Sequence, residues 1–127
     1  MTHVLLLLAA AMLGVSAPVS VPPPEPRPAT RVIEWTADWC GPCKQMQPAV
    51  DKLRAEGYAI QAVNADKNAA FVKSRGVTGL PTIVVYRRGK NSNYTELGRL
   101  AGPATYEQIK SLLKLHNVLP GRQGIVK

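Results

Sequence analysis

Residues 32–44 read VIEWTADWCGPCK, and they place both cysteines of this 127-residue chain between a predicted strand and a predicted helix. The run at 32–36 is rich in β-branched and aromatic residues, which favours a strand. Gly41 permits a tight turn, and Pro42 suits a first helical turn because its missing N–H would be unbonded there. The sequence therefore predicts a helix from Cys43 to about residue 56, with Met46, Val50 and Leu53 at helical spacing.

This placement gives the two cysteines different chemical roles. Two thiols separated by two residues can close as a disulfide and open again. Cys40 falls at the helix N-terminus, where unbonded N–H groups and the helix dipole stabilise a thiolate, the form that attacks disulfides. Cys43 lies one turn further and is the expected resolving cysteine.

Two other uses of a C-x-x-C motif require residues that this chain lacks. A zinc site needs further cysteine or histidine ligands, and the chain has no third cysteine, while His3 and His116 are far from the pair. A c-type haem site needs histidine directly after the second cysteine, where this chain has Lys44. We expect no metal and no cofactor, because the cysteine pair is itself the redox group.

The rest of the sequence predicts further strands and helices in alternation. A strand is predicted at 58–65, a short helix capped by Asp66 and ending near residue 75, and an apolar, β-branched strand at 82–86. Turn residues at 89–93 lead into a hairpin partner at 94–99, and Thr105 with Gln108 has the spacing of a capping box for the last helix.

The predicted order is β-α-β-α-β-β-α over residues 31–117. It indicates an α/β domain with a four-stranded mixed sheet and helices on both faces. We expect the strand at 58–65 at one edge, followed across the sheet by the strands at 32–36, 82–86 and 94–99.

The N-terminal residues predict a targeting segment and a spacer. Residues 4–13 are an unbroken apolar run, too short to span a bilayer, and small residues at Val15 and Ala17 are typical of a signal-peptidase site. Residues 1–17 are thus predicted to be a signal peptide or an N-terminal membrane anchor, so we expect a periplasmic, secreted or anchored protein, with a cytoplasmic one as the alternative. Residues 18–30 hold six of the eleven prolines and predict an extended tether; residues 118–127 form a C-terminal tail.

The charge pattern points to no particular partner. Sixteen basic and eight acidic residues give a net charge of +8, but the basic residues are scattered along the chain. No nucleic-acid motif accompanies them, so we expect no nucleic-acid partner. We expect a monomer.

Several motifs together give the chain a family likeness, and it resembles thioredoxin. The string from Trp39 to Lys44 matches that family's active site, and Pro48 falls where its first active-site helix is kinked. The family's second strand ending, cis-proline loop and hairpin glycines are matched by Val63-Asn64-Ala65-Asp66, Gly79-Leu80-Pro81-Thr82, Gly89 and Gly98. The resemblance implies a minimal thioredoxin fold, because the strand and helix that precede the active-site strand have no counterpart before Arg31.

The resemblance also implies a set of site residues. Pro81 is expected to be cis and to pack opposite the cysteines, lining a substrate groove with Trp39, Gly41, Pro42 and Leu80. Glu34 stands where thioredoxins commonly bury an aspartate, so it is expected to accept the proton of Cys43. Ala62 replaces the lysine that often accompanies that acid, which predicts no cation near Glu34.

These observations favour a thiol-disulfide oxidoreductase that reduces protein disulfides with electrons from an unidentified donor. A disulfide oxidant or isomerase is an alternative, and so is a non-catalytic binding module with incidental cysteines. The predicted edge strand at 58–65 needs cover. We expect that cover from residues 18–30 or from the tail at 117–127, which includes Ile125 and Val126.

Overall fold

The computed structural model describes Pro18, Ser20 and residues 30–121. Its strands are β1 (Thr30–Thr36), β2 (Ile60–Asn64), β3 (Thr82–Arg88) and β4 (Tyr94–Ala101), and its helices are α1 (Gly41–Ala55), α2 (Ala69–Ser74) and α3 (Tyr106–Leu115). The predicted targeting segment, most of the tether, and Ile125 with Val126 lie outside the described residues. Within the described part, no helix is long and apolar enough to cross a membrane.

The four strands form one mixed sheet in the order β2-β1-β3-β4, as the sequence predicted. β1 pairs in parallel with β2 and antiparallel with β3, and β3 pairs antiparallel with β4. β1, the strand that leads to the cysteines, therefore lies inside the sheet between two neighbouring strands.

Helices cover the two faces of the sheet unequally. One face packs against α1 and α3 in a core that includes Val32, Val50, Leu53, Ile83 and Ile109. The alternate side chains of β1 and β3 point the other way, as strand geometry requires, and form a smaller core beneath α2 with Ile33, Trp35, Val84, Tyr86 and Val72. Among the described residues, α2 is the only α-helix on this second face.

The cap before α2 differs from the sequence prediction. The side chain of Asn64, at the end of β2, accepts hydrogen bonds from the backbone N–H groups of Asp66 (3.0 Å) and Lys67 (3.2 Å). A 3-10 turn at Asp66–Asn68 then leads into α2. The prediction that Asp66 caps this helix was wrong, because its carboxylate accepts a hydrogen bond from Trp39 instead. The capping box of Thr105 and Gln108 at α3 is confirmed.

The first residues of the predicted tail pack against the domain. Val118 is buried in the same core as Tyr58 and Ile60. The N–H of Gly121 donates to the carbonyl of Gly57 at 2.9 Å. These contacts hold the tail at the residues that lead into β2, and cover of the remaining strand edge stays a prediction.

Candidate active site

The two cysteines form a disulfide at the start of α1. Their Cα atoms are 5.3 Å apart, and each residue is only 2% exposed. Cys40 is the N-cap residue of α1 with an extended backbone, and Pro42 occupies the first turn. The helix begins at Gly41, two residues before the predicted start at Cys43. The chain thus delivers one sulfur to the helix terminus and the other to its first turn.

The backbone around Cys40 is arranged to hold negative charge on sulfur. The N–H of Cys43 donates to Cys40 Sγ at 3.2 Å. A helix N-terminus has N–H groups without intrahelical acceptors, and its dipole favours an anion. When the disulfide is reduced, these groups stabilise the thiolate of Cys40.

The peptide bond between Leu80 and Pro81 is cis, as the family resemblance implied. Pro81 is buried, and its carbonyl accepts a hydrogen bond from the N–H of Gly102 at 2.8 Å. Thr82 Oγ1 donates to the carbonyl of Gly79 at 2.7 Å, which fixes the loop on the other side. Leu80 packs on the small cluster that contains both cysteines, so the loop lies against the disulfide.

An open groove of about 400 Å³ is lined by Trp39, by Leu80 and by residues of the 3-10 turn and α2, and neither cysteine is among its lining residues. Trp39 is 69% exposed, and its Nε1 donates to Asp66 Oδ2 at 2.8 Å, which holds the indole against the 3-10 turn. Gly41 and Pro42 are exposed at the start of α1, but they and Pro81 do not line this groove. Of the five predicted groove residues, the structure therefore brings Trp39 and Leu80 together on one surface.

Glu34 lies on the sheet face that α1 covers and is fully buried, with 0% exposure. The residue paired with Glu34 in β2 is Ala62, so this pairing places no cation beside Glu34. Glu34 Oε2 is 3.2 Å from Arg54 Nη2. Glu34 Oε1 is buried and has no hydrogen-bond partner among the described residues.

Arg54 corrects the expectation that Glu34 has no nearby cation. Its Nε donates to the carbonyl of Ile60 at 3.0 Å, and its Nη1 contacts Asp51 Oδ1 at 3.1 Å. Arg54 therefore joins α1, β1 and β2 through one guanidinium. The sequence could have indicated this contact, because Arg54 lies four residues after Val50 and so falls on the buried side of the helix. A charged residue there needs a partner.

Burial governs the protonation of Glu34. Loss of solvent raises the pKa of Glu34 above its ordinary value of 4.5, and this effect is larger than the lowering by Arg54. The carboxyl group therefore holds a proton at higher pH than an exposed glutamate does, and its unpartnered Oε1 offers a place for that proton.

The sequence of this chain matches those of known proteins. The family model Thioredoxin matches residues 27–114. The mitochondrial thioredoxin-2 of Schizosaccharomyces pombe is 40% identical over 84 residues, a match that spans 65% of this chain and 59% of that protein. The thioredoxin of Chlamydia caviae is 32% identical over 88 residues, covering 68% of this chain and 81% of the other.

Solved structures of thioredoxins also resemble this chain. A point-mutant thioredoxin from Halobacterium salinarum NRC-1 superposes with a TM-score of 0.61 at 29% identity, covering 72% of this chain and 78% of the other. Thioredoxin f2 from Chlamydomonas reinhardtii gives a TM-score of 0.61 at 26% identity, covering 75% and 85%. With its paired cysteines, its cis-proline loop and this sequence match, the chain belongs to the thioredoxin family.

Proposed function

We propose that this protein is a thiol-disulfide oxidoreductase that reduces protein disulfides through Cys40 and Cys43. The observation that carries the proposal is the disulfide at the N-terminus of α1, placed against the loop of the cis-proline Pro81. A structural disulfide needs neither a helix terminus at one sulfur nor a cis-proline loop packed against it. Both features serve a sulfur that must become a thiolate and meet a second chain.

The reaction balances with the cysteine pair alone. In the reduced protein the thiolate of Cys40 attacks a substrate disulfide, forming a Cys40–substrate bond and releasing the first substrate sulfur as a thiolate. Cys43 then loses its proton and attacks the Cys40 sulfur, which forms the intramolecular disulfide and releases the second substrate sulfur. Two electrons pass to the substrate, so a dithiol donor must later reduce Cys40 and Cys43 again.

Glu34 is proposed to take up the proton of Cys43. The carboxylate is buried on the sheet face under α1, the helix that carries Cys43, and its Oε1 is unpartnered among the described residues. A raised pKa makes the carboxylate a stronger base than an exposed one, which suits proton transfer near neutral pH. Arg54 holds the other oxygen, so the carboxylate keeps one orientation.

The groove is proposed to bind an extended segment of the substrate. Within the described residues, the backbone N–H groups of Thr78 and Leu80 take part in no hydrogen bond. Trp39 and Leu80 supply apolar surface on the two sides of the groove. An extended chain that pairs with the loop through its backbone would bring its disulfide to Cys40 without requiring a particular sequence.

Reduction of insulin disulfides, with dithiothreitol as the electron source, tests the proposal. We expect Cys40→Ser to abolish turnover. Cys43→Ser, reduced beforehand and then freed of dithiothreitol, should stop after one mixed disulfide that mass spectrometry detects. The control is Ser111→Ala on the exposed side of α3, which should reduce insulin like the unchanged protein. An unchanged protein that reduces insulin no faster than dithiothreitol alone would instead favour a non-catalytic binding module.

The direction of electron flow needs a separate measurement. About 30 mV of reduction potential corresponds to about 1.4 kcal/mol for this two-electron couple, so small local effects decide between a reductant and an oxidant. Equilibration of the Cys40–Cys43 couple with glutathione gives the potential. A strongly oxidising value would assign the protein as a disulfide oxidant or isomerase.

The place of action is proposed to be outside the cytoplasm or at its boundary. The support is the apolar run at residues 4–13 followed by small residues at Val15 and Ala17. N-terminal sequencing of protein from its native host distinguishes cleavage after Ala17 from a retained anchor. A full-length soluble cytoplasmic form would contradict both.

A further inference from the structure

A small cavity of about 80 Å³ lies on the second face of the sheet, beside α2. Three aromatic rings line it, from Phe71, Tyr86 and Tyr94, together with the side chains of Arg31 and Arg75. None of the residues that line it is acidic. Its lining includes neither cysteine and shares no residue with the groove between Trp39 and Leu80, so it is separate from the active site.

The cavity offers positive charge and an unsatisfied polar atom. The guanidinium carbon of Arg75 lies 5.1 Å from the ring centre of Phe71, 5.2 Å from that of Tyr86 and 5.8 Å from that of Tyr94. Arg31 lies 5.1 Å from the ring centre of Tyr94.

One polar group of the lining is buried without a partner. Arg31 Nε has no hydrogen bond within the described part of the chain. Buried donors without acceptors are costly, so a native structure normally supplies an acceptor. The cavity thus suits a segment that carries a carboxylate, carbonyl acceptors and flat apolar rings.

Residues 21–29, VPPPEPRPA, have this composition and precede Arg31 in the chain by two residues. Their five prolines supply carbonyl acceptors without N–H donors, and proline-rich segments bind grooves lined by aromatic rings. Glu25 is the only acidic residue that precedes Glu34 in the chain. The segment joins β1 at Thr30, which is adjacent to Arg31.

We propose that residues 21–29 fold back over the second face of the sheet and dock in this cavity, with the carboxylate of Glu25 facing Arg31 and Arg75. The chain between Glu25 and Arg31 is long enough to allow this contact. Five residues of polyproline helix from Glu25 to Thr30 extend about 15 Å. Arg31 and Ile33 lie within about 10 Å of the start of β1. Residues 21–29 would then cover the part of the second sheet face, beside β2, that α2 does not cover. This docking does not depend on the redox activity.

Photo-crosslinking in the full chain tests the contact directly. We would replace Tyr94 by p-benzoylphenylalanine, and as a control Leu115, which is 74% exposed on α3 beyond the other face of the sheet. We expect position 94, and not position 115, to crosslink to the peptide that contains residues 21–29. Mixing isotope-labelled and unlabelled chains separates a bond within one chain from a bond between two.

The charge contact has its own matched pair of variants. Glu25→Arg should lower the crosslink yield at position 94 about fivefold, the effect of one partly buried ion pair. Glu107→Arg makes the same charge change at an exposed position of α3 and should leave the yield unchanged. A crosslink only to a second chain, to another segment, or none at all would overturn the proposal, as would equal yields in the two variants.

A measurement without the unnatural side chain guards against local disruption by the crosslinker. Glu25→Gln should shift the backbone amide NMR signals of Gln61, Phe71 and Tyr94 around the cavity, while Glu107→Gln should shift only signals of α3. Unchanged signals around the cavity in Glu25→Gln would overturn the contact between Glu25 and the two arginines.

Discussion

Glu34 and Arg54 form an ion pair whose two ends differ in access to water. The Glu34 side chain has no exposed surface, whereas that of Arg54 is 31% exposed. A buried carboxylate loses its hydration, and the Coulomb attraction of one partner only partly restores it. The pair is therefore sensitive to the loss of Arg54, because Arg54 can be solvated alone and Glu34 cannot.

Removing the guanidinium should destabilise the fold in a pH-dependent way. Arg54→Gln leaves the buried carboxylate without a cation, so we expect the free energy of unfolding to fall by about 2 kcal/mol near neutral pH. The loss should shrink in acid, where Glu34 is neutral in both proteins. Urea unfolding measures it. Arg87→Gln, on the exposed end of β3, is the control, and an equal loss in both variants would contradict the prediction.

The pH dependence of Glu34 itself has a defined sign. Because the folded pKa of Glu34 is raised above 4.5, the folded protein binds this proton more strongly than the unfolded chain. Its contribution to stability is therefore fully present below pH 4.5 and is lost as pH rises through the folded pKa. In urea unfolding across this range, we expect the stability of the unchanged protein relative to Glu34→Gln to decrease with rising pH.

The control for that series is Ser111→Ala, an exposed position on α3 at which no titratable group is changed. Its stability relative to the unchanged protein should stay constant over the same pH range. A relative stability of Glu34→Gln that is also flat, or that changes in the opposite direction, would show that burial does not dominate the protonation of Glu34.

The residues that carry the chemistry could be predicted from sequence to different degrees. Cys40 and Cys43 follow from a local motif, because their roles depend on their immediate neighbours, and the cis bond before Pro81 follows from the family resemblance. Arg54 was missed because its partner Glu34 lies 20 residues away in the chain, and only the packing of α1 on β1 brings them together. The exposed positions of Gly41 and Pro42 are likewise set by how the helix is placed beside the groove.

At the level of elements, Asn64 connects the sheet to the active-site groove. Its side chain caps the 3-10 turn that carries Asp66, and Asp66 in turn holds Trp39. We expect Asn64→Ala to lower the free energy of unfolding by about 1 kcal/mol, the usual cost of a lost cap. It should also make the Trp39 indole signal more mobile in NMR relaxation measurements.

The matched control is Asn93→Ala, in the exposed hairpin turn between β3 and β4. It should leave both the Trp39 signal and the groove unchanged. If Asn64→Ala lost stability while Trp39 kept its order, the cap would serve the fold alone and would not position the indole.

The elements themselves were largely predictable because their signals are local. The apolar run of β3 and the capping box of α3 fixed those elements within a few residues. The region after β2 was harder, because Asn64 and Asp66 are both good capping residues. The choice between them depends on Trp39, which approaches from a loop 27 residues away in the chain.

For the whole molecule, fold stability and reduction potential are two measures of one equilibrium. The disulfide closes a very short loop, with a sequence separation of 3. By the chain-entropy relation, a loop this short stabilises the fold by about 2 kcal/mol. Stabilisation of the Cys40 thiolate by the helix N-terminus favours the reduced protein and acts in the opposite direction.

We expect the stabilisation by loop closure to exceed the stabilisation of the Cys40 thiolate. The oxidised protein should therefore be more stable to urea than the reduced protein. The same cycle then requires the folded pair to be more reducing than the unfolded pair, by about 40 mV for about 2 kcal/mol. Urea unfolding of both redox forms gives the first quantity, and glutathione equilibration with and without denaturant gives the second. Cys43→Ala, which forms no disulfide, should show no response to dithiothreitol. A reduced protein more stable than the oxidised one would make the folded pair an oxidant, since the fold would then favour the dithiol.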